Sequence, residues 1–163
     1  SFADMRGASL FRANLSGVVC NDALLIGANL REANLAGADL RNIHLNDANL
    51  IKANLSGANL EGMHNQSFTV LNLANLEGAD LSGARLRCVS AEDASFKHAN
   101  LTGVDFSHAV LGGAILRSAN VTDANFDGVE LAPARKKGPL KQVARMLFGD
   151  FITKVFLIRA RRP

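Results

Sequence analysis

The apolar residues of this chain recur at an interval of five, which neither an α-helix nor an ordinary β-strand produces. From Met5 to Leu60 every fifth residue is leucine or a similar apolar residue, and the series resumes from Leu76 to Leu131 one residue out of phase. A small apolar residue, usually alanine, stands two positions before each member of the series. This pattern predicts a chain that turns a corner every five residues and directs two of each five side chains inward.

Each five-residue unit has the same order of residue types, as in residues 28–32 (ANLRE) and 79–83 (ADLSG). We call the leucine-type residue the centre, the small apolar residue before it the inner residue, and the last residue of the unit the corner. Eleven of the 14 glycines are corner residues, and glycine tolerates backbone angles that other residues resist. Repeated units with fixed inward and outward positions predict a solenoid.

The A-(N/D)-L-x-G unit resembles the pentapeptide-repeat family over roughly residues 3–132. The resemblance implies an all-β solenoid, a right-handed quadrilateral β-helix with four units per coil, and the number of units predicts six to seven coils. We therefore divide the chain into a β-helix (residues 1–132, with a phase break near residues 61–73), a basic linker (133–139) and a C-terminal helical tail (140–163).

The phase break has two interpretations. Leu60 and Leu76 are sixteen residues apart, which equals three units and one residue. We predict a one-residue bulge between Asn65 and Leu71, which leaves the order of the sides unchanged. A small projecting loop that a partner recognises is the alternative.

The tail has an apolar stripe at helical spacing from Leu140 onward, with Pro139 suited to a helix start. We expect this helical tail to cap the last coil. Further apolar residues lie off the stripe and predict an additional contact, either with a second copy or with an anionic membrane. The candidate contact residues are Leu147, Phe148, Phe151, Val155, Phe156 and Ile158.

The formal net charge of +3 hides a division between the repeat and the tail. Residues 1–131 contain nine basic and fourteen acidic residues, whereas residues 132–163 contain nine basic residues and one acidic residue. Counting units in fours makes one face the most single-signed, with five acidic residues and one basic residue, and this face is the candidate partner-binding surface. Its acidic residues are Asp22, Asp39, Glu61, Asp80 and Asp123, and Arg41 lies among them.

Regularly spaced carboxylates could imitate the charge lattice of duplex DNA. The resemblance includes the quinolone-resistance proteins, rods that dimerise through a C-terminal helix and protect DNA gyrase as DNA mimics, so it implies gyrase as an alternative partner. We do not expect nucleic acid itself to bind, because the basic residues of the tail flank the predicted helix without forming one stripe.

Flat outer faces offer no catalytic pocket, so we expect no enzyme activity and no cofactor. His44 and His64 should stack on adjacent coils, but no third ligand stands beside them, and we expect no metal. Cys20 is a centre, which predicts burial, and Cys88 is a corner residue more than three coils away. That separation is too long for a disulfide, so two free thiols are predicted.

These patterns together predict a non-enzymatic protein–protein interaction scaffold that forms a homodimer through its C-terminal tail. One alternative is a DNA-mimic regulator that binds DNA gyrase or another topoisomerase. Another is a peripheral membrane protein or membrane-complex subunit attached by the basic amphipathic tail. No segment has the pattern of a signal peptide or a spanning helix, so we expect a cytoplasmic location, with peripheral membrane association under the last alternative.

Overall fold

The chain winds into coils that are joined by parallel β-bridges. The computed structural model describes residues 3–62 and 69–131. Seventeen of its 21 bridges join residues twenty apart, such as Asp4 and Leu24, so four five-residue units complete one coil. Six coils are formed, and residues 129–131 begin a seventh. The coils comprise residues 3–22, 23–42, 43–62, 69–88, 89–108 and 109–128.

The bridges form four ladders, and each ladder defines one side of the coil. Pairing is confined to one residue per unit, and the described residues contain no longer strand and no helix. Side I has the ladder Asp4, Leu24, His44, Val70, Ser90, Val110 and Glu130. Side II has Ser9, Asn29, Asn49, Asn75, Ser95 and Ile115. Side III has Asn14, Asn34, Asn54, Asp80, Asn100 and Asn120. Side IV has Val19, Asp39, Asn59, Arg85, Asp105 and Asn125.

Every complete unit of the described part except residues 58–62 ends in a β-turn that the sequence motif explains. The carbonyl of a centre accepts a hydrogen bond from the N–H three residues later, as between Met5 and Ala8 (3.1 Å). Of the 24 corner residues in the described part, 23 have φ between 56° and 73°, the left-handed conformation of the third residue in a type II turn. Where the residue before a centre is Asn or Asp, it supports this turn, because its Oδ1 accepts a hydrogen bond from the N–H two residues later. Asp80, for example, accepts from Ser82 at 2.9 Å.

The centres and inner residues fill the axis of the rod. In the second to fifth coils every centre is at most 2% exposed, and burying a leucine side chain contributes about 1.5–3 kcal/mol. Phenylalanine replaces leucine in the upper coils, where Phe106 contacts Phe96 edge to face and stacks on Phe126, with ring centroids 5.7 and 5.4 Å apart. Cys20, predicted to be buried, is only partly so, because no described coil lies beneath the first one.

The predicted one-residue bulge is wrong, because the chain gains six residues after the third coil. Four bridges join residues 26 apart, where the others join residues twenty apart. The unit after Leu60 therefore has its centre at Leu71, and two units separate Leu60 from Leu76 in addition to the six residues. The four longer pairs are His44–Val70, Asn49–Asn75, Asn54–Asp80 and Asn59–Arg85.

Thr69 restores the hydrogen bonding between coils where the chain returns from these extra residues. Elsewhere a corner N–H donates to a carbonyl of the next coil, as Asp22 does to Arg41 at 3.0 Å. At Asn42 the N–H donates instead to Thr69 Oγ1 (2.9 Å), and this hydroxyl donates to the Glu61 carbonyl (3.4 Å). Thr69 occupies an inner position that is usually alanine and is fully buried, so its hydroxyl links two backbone groups.

Candidate functional site

The five acidic residues predicted to share one face lie on two sides. Asp22, Asp39 and Glu61 belong to side IV, whereas Asp80 and Asp123 belong to side III. The six extra residues cause this separation, because they move every later unit by one side relative to the sequence count. Side IV is also interrupted by three arginines, Arg41, Arg85 and Arg87.

The four sides differ in charge. Side I has five acidic residues against one arginine, side II has five basic residues against two acidic ones, and side III has only small outward side chains with two carboxylates. Side I therefore has the largest excess of acidic residues in the described rod, whereas the sequence count had predicted the main acidic face from other residues. The acidic residues of side I are Asp4, Asp47, Glu92, Asp93 and Glu130.

A groove of about 490 Å³ lies at the edge where side IV meets side I, across the first four coils. Glu61 and Gly62 belong to its wall and directly precede the six extra residues. Insertions into a repeat array often mark its binding face, so we regard this groove as the candidate site. It is lined by Asn21, Asp22, Arg41, Asn42, Glu61, Gly62, Arg87 and Cys88.

The charged groups of this groove alternate in sign from coil to coil, and one of them is already neutralised. Arg41 donates two hydrogen bonds to Asp39, at 2.8 Å to Oδ1 and 2.6 Å to Oδ2. The Arg41 guanidinium lowers the pKa of Asp39, and the carboxylate raises the pKa of Arg41 in return. Arg87, two coils above Arg41, makes no salt bridge with any other described residue.

The floor of the groove is backbone and amide. Gly62 donates its N–H to the Arg87 carbonyl at 2.9 Å, and a Cβ at Gly62 would lie 2.5 Å from the Cys88 carbonyl oxygen. Asn42 donates its side-chain N–H to Asp22 at 3.2 Å, while its Oδ1 is buried and accepts no hydrogen bond. Glycine at position 62 thus allows the backbones of the third and fourth coils to approach closely at this edge, and the Asn42 Oδ1 is a buried polar atom without a hydrogen-bond partner.

The titratable residues noted in the sequence do not converge on a catalytic arrangement in the described rod. His44 lies in the side I ladder, whereas His108 is a corner residue on side IV, two coils higher. His64 lies outside the described residues. Neither Cys20 nor Cys88 forms a disulfide, as predicted. Within residues 3–62 and 69–131 no group of three potential metal ligands occurs.

The predicted contact residues of the tail, from Leu147 to Ile158, lie outside the described part of the chain, as do the basic linker and the predicted cap. Among the described residues there is no helix long and apolar enough to cross a membrane. Dimerisation and membrane attachment through the tail therefore stay predictions.

The sequence count missed that Arg85, Arg87 and Cys88 lie on the same side as Asp22 and Glu61. A signal was present: Leu71 stands five residues before Leu76, so the second series of centres extends back by one unit. Had the two series been extended until each failed, the six extra residues would have appeared between Leu60 and Leu71.

A family model described as pentapeptide repeats matches eight copies, over residues 3–42, 28–62 and 94–131. No curated protein matches the chain.

Several solved structures are similar. The pentapeptide repeat protein Rfr23 from the cyanobacterium Cyanothece 51142 is 23% identical, covers 76% of this chain and 86% of its own, and has a TM-score of 0.46. HetL from Nostoc sp. strain PCC 7120, a pentapeptide repeat protein involved in heterocyst differentiation regulation, is 33% identical over 80% of this chain and 73% of its own, with a TM-score of 0.40. QnrB1, a plasmid-mediated fluoroquinolone resistance protein, is 15% identical over 98% of this chain and 83% of its own, with a TM-score of 0.58. The likeness to QnrB1 concerns the fold.

Proposed function

The chain belongs to the pentapeptide repeat family, and from that premise we propose that it is a non-enzymatic interaction scaffold whose protein partner binds at the groove between sides IV and I. The observation that supports this proposal is that the groove and the interruption of the repeat lie at the same edge of the rod. The groove lies where six residues interrupt the repeat, and its walls contain charged side chains of both signs from four successive coils.

A scaffold function agrees with the separate roles of the inward and outward positions in each unit. The centres and inner residues are nearly invariant in type because they must fill the axis, whereas the outward positions range from glycine to arginine. A rod of this kind holds its surface groups on one rigid frame with a spacing of about 4.8 Å between coils. Binding then needs little ordering of the scaffold, which reduces its entropic cost.

The rest of the proposal concerns winding and assembly. We take the β-helix to be right-handed, as the family resemblance implies, and its C-terminal tail to cap the last coil and to join two copies. The apolar tail residues from Leu147 to Ile158 supply that contact in this proposal, and the scaffold acts as a dimer.

A capture experiment with matched charge variants tests the groove. Immobilised full-length protein is compared with Asp22→Lys/Glu61→Lys, which reverses both acids of the groove. The control is Asp47→Lys/Asp123→Lys, the same charge change on sides I and III. Lysine is tolerated at the corners 22, 47 and 123, because Lys52 already occupies a corner with φ 56°. Glu61 precedes a corner, a position that Arg41 and Arg87 occupy in neighbouring coils.

We expect a protein from the source lysate to be captured by the natural sequence and by the control, and to be lost with the groove variant. Identical capture by all three proteins would exclude the groove as the partner site.

A second candidate function is regulation of DNA gyrase by imitation of DNA. It is supported by the charge of side I, whose five carboxylates run along the full height of the described rod. Purified gyrase would be assayed for supercoiling at low salt with increasing amounts of the full chain. Inhibition that Asp47→Lys/Glu92→Lys abolishes would support this function, and the absence of any inhibition by the natural sequence would eliminate it.

A further inference from the structure

We propose that the last part of the C-terminal tail, residues 150–163, lies along the upper half of side I of its own chain. Upper side I comprises the outward residues of the three units 69–73, 89–93 and 109–113, together with Glu130. The proposed function has the tail cap the last coil and join two copies, and this inference adds the surface of the rod that receives its end. It follows from the place where the tail begins, its length, its charge and its apolar character.

The tail begins at the upper end of side I. Glu130 is the last residue of the side I ladder, and Leu131, the centre that follows it, is buried. A tail that folds back from this point reaches upper side I without crossing another side of the rod. The place where the described rod ends therefore favours side I over the other three sides.

The tail is longer than a cap of the last coil requires. One side of a coil contains five residues, or about 17 Å of extended chain, whereas a helix of residues 140–158 would be about 28 Å long. Gly149 and Asp150 stand in the middle of the tail. Glycine disfavours a helix interior, and aspartate is a common first residue of a helix. A helix from Asp150 to Ile158 would be about 13 Å long, which matches the three coil steps of upper side I, about 14 Å.

Upper side I and the end of the tail carry opposite charges. The carboxylates of Glu92, Asp93 and Glu130 form no salt bridge with another residue of the described rod. The one basic residue of side I, Arg6, lies in the first coil and is paired with Asp4 at 2.7 Å. Residues 151–163 contain four basic residues and no acidic residue. The end of the tail therefore supplies the positive charge that upper side I lacks.

Side I is also the most apolar side of the described rod, with five outward apolar residues against three on side II. Leu73 is a corner residue with φ 62° and is 59% exposed, although the left-handed conformation is unfavourable for leucine. Val70 and Val110 are partly exposed on the same surface. Residues 151–158 contain six apolar residues among eight. Contact with them would bury the Leu73 side chain, which contributes little to the rod itself.

Two asparagine variants separate this contact from the stability of the rod. Leu73→Asn removes the exposed leucine, and asparagine suits such a corner because Asn42 occupies one with φ 58°. The matched control is Ile115→Asn, which removes an exposed apolar residue from side II. Its ladder position is asparagine in three other coils. Circular dichroism would verify that both variants keep the fold of the natural sequence.

Limited digestion with chymotrypsin measures how far the tail is protected. This protease cleaves after phenylalanine, and mass spectrometry of the full-length proteins would follow cleavage after Phe151 and Phe156. We expect cleavage several-fold faster in Leu73→Asn than in the natural sequence, and an unchanged rate in Ile115→Asn. Equal rates in all three proteins would overturn the inference.

Carbodiimide coupling of lysine to carboxylates identifies the surface and the copy to which the tail binds. Unlabelled and nitrogen-15-labelled full-length chains are unfolded, refolded together and coupled. We expect Lys154 to be joined to Glu92, Asp93 or Glu130 of a chain with the same label. Coupling of Lys154 to no residue of side I, or only to side I of the differently labelled chain, would overturn the inference. The dimer and the groove are tested by other measurements, so the proposed function could survive that result.

Discussion

At the scale of single residues, the rod is stabilised by side chains that form hydrogen bonds with backbone groups as well as by side chains that fill the axis. Asn or Asp before a centre holds the following turn, and a residue in the left-handed region closes it. Thr69 is the informative exception, since it stands at an inner position where alanine is usual and its hydroxyl joins Asn42 to Glu61. Substitutions that make a unit more typical of the repeat are therefore not always stabilising.

Thr69→Val tests this role with almost no change in shape. It leaves the Asn42 N–H and the Glu61 carbonyl without their partner, and a buried unsatisfied polar group costs about 1–3 kcal/mol. We expect a loss of unfolding free energy in this range, measured by urea denaturation. Thr69→Ser keeps the hydroxyl and should lose clearly less. Equal stability of the valine variant and the natural sequence would contradict the hydroxyl link.

The pair of Asp39 and Arg41 predicts a dependence of stability on pH. The folded state lowers the pKa of Asp39 below its usual 3.8, so its contribution is fully present above that pH and is lost as pH falls through the folded-state pKa. Asp39→Asn should reduce stability by less than about 1 kcal/mol at pH 7, because the pair is largely exposed to solvent. The difference between the two proteins should disappear in strong acid. A difference that persists unchanged there would show that the charge is irrelevant.

At the scale of the coil, stability comes from neighbours above and below. Centres of the second to fifth coils are buried between two layers, whereas those of the first coil are only partly buried in the described rod. The period of five predicted the centres, the inner residues and the corners, because each position requires a different kind of residue: a large apolar one, a small one, and one that tolerates positive φ. It did not predict the pairing across the break. The sixteen residues from Leu60 to Leu76 can be divided into three units and one extra residue, or into two units and six extra residues. Only the bridges distinguish the two.

Leu50→Ala and Leu10→Ala compare an interior and a terminal coil at the same side. Leu50 is fully buried, and its truncation should cost about 2–5 kcal/mol through lost burial and the cavity left behind. Leu10 is only partly buried in the first coil, so Leu10→Ala should reduce the free energy of unfolding by less than half as much as Leu50→Ala. Urea denaturation followed by circular dichroism provides both values. A larger cost at Leu10 would show that the first coil has a covering layer.

At the scale of the whole molecule, the sequence predicted a β-solenoid but not its groove. The fold follows from a pattern repeated in every unit, so an error at one break does not disturb it. The groove combines residues from four coils, such as Asp22, Glu61 and Arg87, and their positions depend on the count across that break. Charge placement on the sides was therefore the least predictable feature, although every charged residue was visible.

Assembly through the tail remains a prediction at this scale. Light scattering coupled to size-exclusion chromatography should give twice the mass of one chain for the full-length protein. Leu147→Asp/Phe151→Asp should give a single chain, because a buried unpaired charge at the contact is strongly unfavourable. Leu30→Val provides a folded control that should keep the double mass. A single-chain mass for the natural sequence would refute the dimer.

The four bridges that span the six extra residues, from His44–Val70 to Asn59–Arg85, still join residues of the same side. The rod thus accommodates added length at one edge without rearranging its layers, provided that a hydroxyl at position 69 reconnects the backbone. This edge is consequently a natural grafting point, where foreign sequences could be displayed beside a charged recess while the supporting frame keeps its architecture.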